Sequence, residues 1–360
     1  METIKYLKQN GIEKLKQELF IKVRDYPEHK LLVLNYDQLN SPTLHPIVKE
    51  CRSLILDYDF NVVSRSFDRF FNLNEKPCST FEFENNMKLY EKIDGSIINI
   101  YYHNGKWNTG TKSSAFGEFS SSKIRDISFH DNVLETINLT EDEFQNKFNN
   151  LNKNLTFICE LSSLDNQVIK KYPNAKLSLL SVRNNYTGLY LNEHDFNIIS
   201  KSLKFSLPIE YKINSIDDIY QNLKNLNGFD EGFVLFQNGC PIAKIKTLTY
   251  VTVSLIKGEQ GGTNDNLKKI IIAGEQSEFL TYFPQYSEKI NELTNNFNLA
   301  YNDLIQTWNS IKNIENQKEF ALAIKNPKFS GILFKARKTN INNIKEYFDK
   351  LDTKIKLQIF

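Results

Sequence analysis

Cysteine is scarce and dispersed: Cys51, Cys78, Cys159 and Cys240 are the only four in 360 residues. None forms a C-x-x-C pair, which excludes a zinc ribbon and argues against a disulfide framework, so we expect no zinc and a reducing compartment. The histidines His29, His45, His103, His130 and His194 show no ligand spacing. No apolar run approaches the length of a signal segment or a membrane span, so no membrane partner is expected and the location is read as cytoplasmic or nuclear. Neither charge sign dominates, with 45 lysines and arginines against 43 aspartates and glutamates. That balance excludes the global basic field of a histone-like protein, and any nucleic-acid surface must be local. The glycine cluster Gly258-Glu259-Gln260-Gly261-Gly262 lacks the Gly-Lys-Ser/Thr ending of a phosphate-binding loop. Internal repeats and low-complexity linkers are also missing.

What is present is enough apolar residue, 40% of the chain with 12% aromatic, to bury a sizeable core or two. From Leu31 to Val253 short β-branched and aromatic runs alternate with turn residues, and Asn104-Gly105 between two such runs predicts a hairpin. Helical patterns interrupt the strands at Ile12 to Phe20, Ser121 to Leu139 and Ile216 to Leu226. Past the glycine cluster the period changes. Ile290, Leu293, Phe297, Ala300, Tyr301, Leu304, Ile305, Trp308 and Ile311 fall at helix spacing, followed by shorter stripes at Phe320 to Ile324 and Ile344 to Leu351. The expected class is α+β: residues 1–258 form antiparallel sheets flanked by helices, and residues 263–360 form an all-helical domain.

One tetrapeptide, Lys92-Ile93-Asp94-Gly95, has the K-x-D-G form that presents a lysine nucleophile to a nucleoside triphosphate. It is too short to stand alone. Downstream come Phe157-Ile158-Cys159-Glu160-Leu161, Asp230-Glu231-Gly232-Phe233-Val234 and Ala243-Lys244-Ile245-Lys246. Each is a strand-like run whose charges fall at strand period, which points them to one face and into a shared pocket. Lysine is normally protonated, and attack on phosphorus needs its neutral form; burial and neighbouring cations favour that form, and Lys244 and Lys246 are the cations at hand. They would also neutralise phosphate charge, while Glu160 and Glu231 suit ribose hydroxyls or a magnesium ion. Gly95 lets backbone approach a ligand closely and Asp94 could orient Lys92.

This ordered set resembles the covalent nucleotidyltransferase superfamily, and within it the phage T4 RNA ligase 1 family. The resemblance is carried as well by Glu50-Cys51-Arg52-Ser53-Leu54-Ile55-Leu56-Asp57, by Arg69-Phe70-Phe71-Asn72-Leu73-Asn74-Glu75, by Ser181-Val182-Arg183-Asn184 ahead of Thr187-Gly188, and by Tyr250. It spans nearly the whole chain. It implies an ATP-grasp-like nucleotidyltransferase domain followed by a helical domain, and an ATP-dependent RNA ligase that works through lysyl-AMP with Mg2+ or Mn2+. Lys92 would accept AMP. Arg52, Arg69, Phe71, Asp94, Gly95, Lys112, Glu160, Glu231 and Tyr250 would line the nucleotide site, with Glu160 and Glu231 also reaching metal, and Lys244 and Lys246 would contact phosphates.

The implied partners are RNA 5′-phosphate and 3′-hydroxyl ends, as in a nicked tRNA, engaged by a monomer. The basic run Lys325, Lys328, Lys335, Arg337 and Lys338 is the candidate RNA surface of the helical domain. Three positions depart from the family pattern: Ser53 stands for a glycine, Arg69 for a lysine, and Gly110 for a lysine two residues before Lys112. Those departures keep open a silent binder of RNA ends, and a DNA ligase or capping nucleotidyltransferase shares the chemistry.

Overall fold

Strand Leu155–Ser162 is buried along its entire length, an apolar run with one carboxylate, Glu160, in its middle. Burial on both faces marks a central strand, and the computed structural model places it in the middle of a sheet. The structure describes all residues except 74, 76–77, 79–81, 123, 227–229, 248–249, 251–262, 275, 283, 340 and 342, and omits the side chains of 263–265, 278 and 281–282. Asn74 and the glycine cluster expected to divide the domains lie outside the described residues. Contacts separate two compact units, Met1–Ser254 and Leu255–Phe360.

The first unit holds three sheets. One is β1 (Ile21–Tyr26), β2 (Leu31–Tyr36), β3 (Arg52–Asp57) and β4 (Val62–Arg65), in sequence order and antiparallel. Leu32, Leu34, Leu54 and Leu56 on one face pack against helices α1 (Glu2–Leu19) and α2 (Pro46–Glu50) through Leu7, Leu15, Ile47 and Val48. The second sheet has β7 (Ser96–His103) and β8 (Lys106–Gly110), then β9 (Leu155–Ser162) and β10 (Lys176–Asn184), in the order β10-β9-β7-β8. Its outer face is covered by α3 (Phe129–Ile137), α4 (Glu141–Phe148) and α5 (Glu193–Leu203), which bury Val133, Phe144, Phe148 and Leu203 against Trp107 and Phe157. Asn104 and Gly105 take φ of 49° and 84°, the left-handed pair a two-residue hairpin turn requires, so the β7–β8 hairpin forms where the sequence predicts it.

The third sheet runs β11-β6-β12-β13-β5, from β5 (Phe71–Asn72), β6 (Met87–Glu91), β11 (Glu210–Tyr211), β12 (Gly232–Gln237) and β13 (Cys240–Lys246). Helix α6 (Ile216–Lys224) buries Ile219 against Leu89, Phe233 and Leu235 of that sheet. Between this sheet and the second lies an apolar cluster of Phe67, Ile158 and Phe236, flanked by half-buried Ile97, Leu180 and Val234. The helix expected from Ser121 starts instead at Phe129, because the Ser128 hydroxyl accepts from the Asp131 amide and caps the turn there. The helix expected from Ile12 is the second half of α1, which bends at Gly11.

The second unit is helical. Ile290, Leu293, Phe297, Leu304, Trp308 and Ile311 are buried along one face of the helix Ser287–Ile311, as their spacing predicts. They share this unit's interior with buried Phe320, Phe329, Ile332, Leu333, Ile344 and Phe348. No described helix is long and apolar enough to cross a membrane. The architecture is thus mixed α/β with antiparallel sheets and a helical C-terminal region.

Candidate active site

Residues Lys92–Gly95 link β6 of the third sheet to β7 of the second, so the tetrapeptide crosses from one sheet to the other. The Lys92 amide donates to the Gly232 carbonyl at 2.8 Å. The Lys92 Nζ lies 2.8 Å from Glu231 Oε2, and Lys246 Nζ lies 3.4 Å from Glu231 Oε1. Two ammonium groups therefore share one buried carboxylate. The register explains the arrangement. Gly232 pairs with Lys246 and Val234 with Lys244 across β12 and β13, so Ala243 and Ile245 enter the core while Lys244 and Lys246 take the other face.

Gly232 has φ of 135°, and a Cβ there would sit 2.0 Å from the Ile245 carbonyl oxygen. Gly95 is required for a similar reason. A Cβ would fall 2.2 Å from the Leu161 carbonyl oxygen and 3.2 Å from Glu160 Cγ, so the close approach it permits in the fold is to strand β9.

Glu160 is buried on β9, opposite Ile97. Burial pushes its carboxyl up to about 8; Lys92 and Arg52 pull it down, and Glu231 and Asp94 push it further up. Those four groups surround it. Asp94 itself is fully engaged: Oδ2 accepts from the Ile169 and Lys170 amides at 2.8 and 2.6 Å, and Oδ1 from the Tyr250 hydroxyl at 2.8 Å. Burial pushes the Tyr250 phenol far up, and Glu231 and Asp94 reinforce the shift, so it serves as a donor. Lys246 lies 5.6 Å from the centre of the Tyr250 ring.

A second group of cations gathers around Tyr36, at the end of β2. The Arg69 guanidinium stacks 4.3 Å from the Tyr36 ring and Lys112 lies 5.5 Å from it. Burial raises the Tyr36 phenol, but Lys112, Arg52, Arg69 and Lys244 outweigh it and hold the group below its ordinary value. The Nη1 atoms of Arg52 and Arg69 are buried with no partner among the described residues. Buried donors left unpaired are costly, and an anion of several oxygens, such as a polyphosphate, would satisfy them. Phe71 is buried with Arg69 and Lys49 over its ring, at 5.4 and 5.7 Å, and forms part of the wall under this pocket.

The structure thus brings together Lys92, Asp94, Gly95, Glu160, Glu231, Lys246 and Tyr250 at one end, and Arg52, Arg69, Phe71, Lys112 and Lys244 at the other. The basic run of the helical unit is placed differently. Lys325, Lys335 and Lys338 are exposed, Lys328 donates to the Phe360 carbonyl, and Arg337 stacks 4.4 Å over Phe320 while donating to the Glu315 carbonyl. Arg337 is therefore a packing residue as much as a surface charge.

The structure also fits the departures from the family pattern. Ser53 has φ of 58°, a conformation glycine favours, and is held there by Ser53 N donating to Asn35 Oδ1 at 2.8 Å and Oγ to the Thr111 carbonyl at 2.7 Å. At Gly110 a Cβ would meet Ala115 and Ser114 carbonyls at 3.2 Å and the Tyr101 ring at 3.3 Å, which leaves little room for a side chain. Tyr36 was not apparent as a site residue in the sequence, where it is one tyrosine closing an apolar strand. Arg183 turns out to be a support: it is buried and forms ion-paired hydrogen bonds of 2.9 and 3.0 Å with Asp68, which Arg65 also holds, so that the segment leading to Arg69 is fastened to β10.

Comparison with known proteins bears on the family. The RNA ligase family model matches residues 50–250. A candidate bifunctional polynucleotide kinase/RNA ligase of Autographa californica nuclear polyhedrosis virus is 32% identical over 98% of this chain, which spans 52% of that protein. The RNA ligase of Rhodothermus phage RM378 is 25% identical over 76% of this chain and 77% of its own length. Among solved structures, an archaeal ATP-dependent RNA ligase matches with a TM-score of 0.54 at 12% identity, covering 82% of this chain and 78% of that one. A candidate ATP-dependent DNA ligase from Aquifex aeolicus gives 0.50 at 12% identity, over 87% and 85%. At such identities these structures speak to the fold alone. The family match covers more than half of the chain and includes the site residues from Arg52 to Tyr250, with Tyr36 and Lys49 just ahead of it. The chain belongs to the RNA ligase family.

Proposed function

We propose that the chain is an ATP-dependent RNA ligase of the phage T4 RNA ligase 1 type. The observation that carries this reading is the position of Lys92 between buried carboxylates and a cation pocket with two unpaired guanidinium nitrogens. In the first step Lys92 Nζ attacks the α-phosphorus of ATP, forming a P–N bond as the bond to pyrophosphate breaks. Arg52, Arg69, Lys112 and Lys244 offset charge on the departing group, the electrostatic stabilisation on which phosphoryl transfer depends. AMP then passes to an RNA 5′-phosphate, and a 3′-hydroxyl displaces it to make the phosphodiester.

Glu160 and Glu231 are the residues that would hold a Mg2+ or Mn2+ ion. Glu160 suits that role, because a carboxyl whose charge is disfavoured by burial regains it beside a divalent cation. The ion would supply charge neutralisation at phosphate oxygens. Substrate choice is also part of the proposal. Sealing of 5′-phosphorylated RNA in the presence of ATP and magnesium, with excess unlabelled RNA or DNA as competitor, tests it. The reading requires RNA to compete and DNA not to, and the reverse would make the protein a DNA ligase. By analogy the helical unit selects a folded RNA such as a nicked tRNA, using Lys325, Lys328, Lys335 and Lys338. Deleting the residues after Gly262 should then abolish a preference for nicked tRNA over linear RNA.

A further inference from the structure

Between β9 and β10 the chain forms a strap, Ser163 to Tyr172, whose contacts converge on the nucleophile link. Its base is set by Asn166, whose Oδ1 accepts from the Ser163 amide at 2.8 Å and whose Nδ2 donates to the Leu161 carbonyl at 2.7 Å. From there the strap buries Ile169 and presents the Ile169 and Lys170 amides to Asp94 Oδ2. Tyr172 Oη accepts from the Asp94 amide at 3.0 Å, and Lys170 Nζ donates to Asp230 Oδ1 at 2.6 Å.

These contacts close a circuit. Starting from Asp94, Oδ1 accepts from Tyr250, whose amide donates to Thr247 Oγ1 at 3.1 Å. Thr247 Oγ1 donates to the Asp230 carbonyl at 2.8 Å, the Asp230 side chain takes Lys170, and the Lys170 amide returns to Asp94. Two residues before Asp94 stands Lys92, and next to Asp230 stands Glu231, the carboxylate on which Lys92 rests. The circuit therefore ties the backbone that carries the nucleophile to the backbone that carries its counter-ion. Asp94, with both oxygens and its amide committed, acts as a hub of this circuit.

We propose that Lys170 and Tyr172 are positioning residues for Lys92, holding the link between the two sheets so that Nζ keeps its place beside Glu231 during nucleotidyl transfer. This deepens the RNA ligase reading and rests on it. The chemistry needs such a device. A linker of four residues between two sheets belongs to no strand and is held by side-chain contacts, and a displacement of about 1 Å at a reacting atom can cost about a hundredfold in rate.

The test is single-turnover self-adenylylation of the full chain with α-labelled ATP and magnesium, over a range of ATP concentrations. Lys170→Met removes the ion pair at similar length, Lys170→Arg retains it, and Tyr172→Phe deletes one oxygen while keeping the ring. We expect Lys170→Met and Tyr172→Phe to lower the saturated rate about tenfold or more, with the ATP concentration for half-saturation changed less than about threefold. Lys170→Arg should recover most of the loss. A wild-type saturated rate in both Lys170→Met and Tyr172→Phe would overturn the proposal, as would a loss expressed only in half-saturation. If Lys170→Met does not fold, Tyr172→Phe decides alone. Absence of labelling in the wild type would instead strike at the ligase reading itself, so the two failures are distinguishable.

Discussion

Glu160 carries an electrostatic penalty that its neighbours only partly offset. Because burial raises its folded-state pKa to about 8, above the ordinary 4.5, the stability that Glu160 contributes is fully present below 4.5 and is lost as the pH rises through about 8. In metal-free buffer Glu160→Gln should remove that loss. Its melting temperature should match the wild type near pH 4.5 and exceed it by several degrees at pH 9, while adenylylation is lost. Thermal melts across that range check the sign, and a variant less stable than the wild type at pH 9 would show that the carboxylate is compensated. Glu160, Lys244 and Lys246 were legible in the sequence because each sits at a fixed register in a strand, where a lone charge among apolar residues has one face to occupy, while Lys92 was marked by the K-x-D-G tetrapeptide and Glu231 by the apolar run that begins just after it. Tyr36, Lys170 and Tyr172 were not, since their roles arise from contacts between residues far apart in the chain, which no local pattern encodes.

At the scale of elements, two joints keep the strands that bear the site in register. The first is the approach of β12 to β13 at Gly232, where a Cβ would overlap the Ile245 carbonyl. Gly232→Ala should cost about 3 kcal/mol or more, read as a fall in the denaturant midpoint, because both the positive φ and the contact oppose it. The second is the Asp68 clamp, in which Arg183 and Arg65 hold Asp68 below the ordinary carboxylate range against the opposing effect of burial. A depressed pKa contributes stability that is present above the unfolded value and lost as the pH falls through the folded one. Asp68→Asn should therefore cost about 2 kcal/mol at neutral pH, and the gap should close as the pH falls below 3.8. Denaturant unfolding at several pH values measures both. The hairpin at Asn104-Gly105 was readable from local turn chemistry and the helix from Ile216 from its hydrophobic period. The late start of α3 at Phe129 was not, because the apolar pattern continues upstream and only the Ser128 cap ends the loop.

Over the whole molecule, the sequence marks a change of texture from strands to helices, and the structure shows two compact units with separate cores. The switch of hydrophobic period from two to about 3.6 residues made the helical C-terminal region visible. What the helical unit recognises is a matter of surface, and composition says little about surfaces. Arg337 illustrates the point. In sequence it belongs to a basic run, yet in the fold it packs on Phe320.

The central claim is that Lys92 forms a covalent bond to AMP. Wild-type protein and Lys92→Ala, each shown to be folded and free of bound AMP, are incubated with α-labelled ATP and magnesium and resolved by denaturing electrophoresis. The account predicts a labelled band in the wild type and none in Lys92→Ala. Equal labelling of both, or labelling of neither, would contradict it.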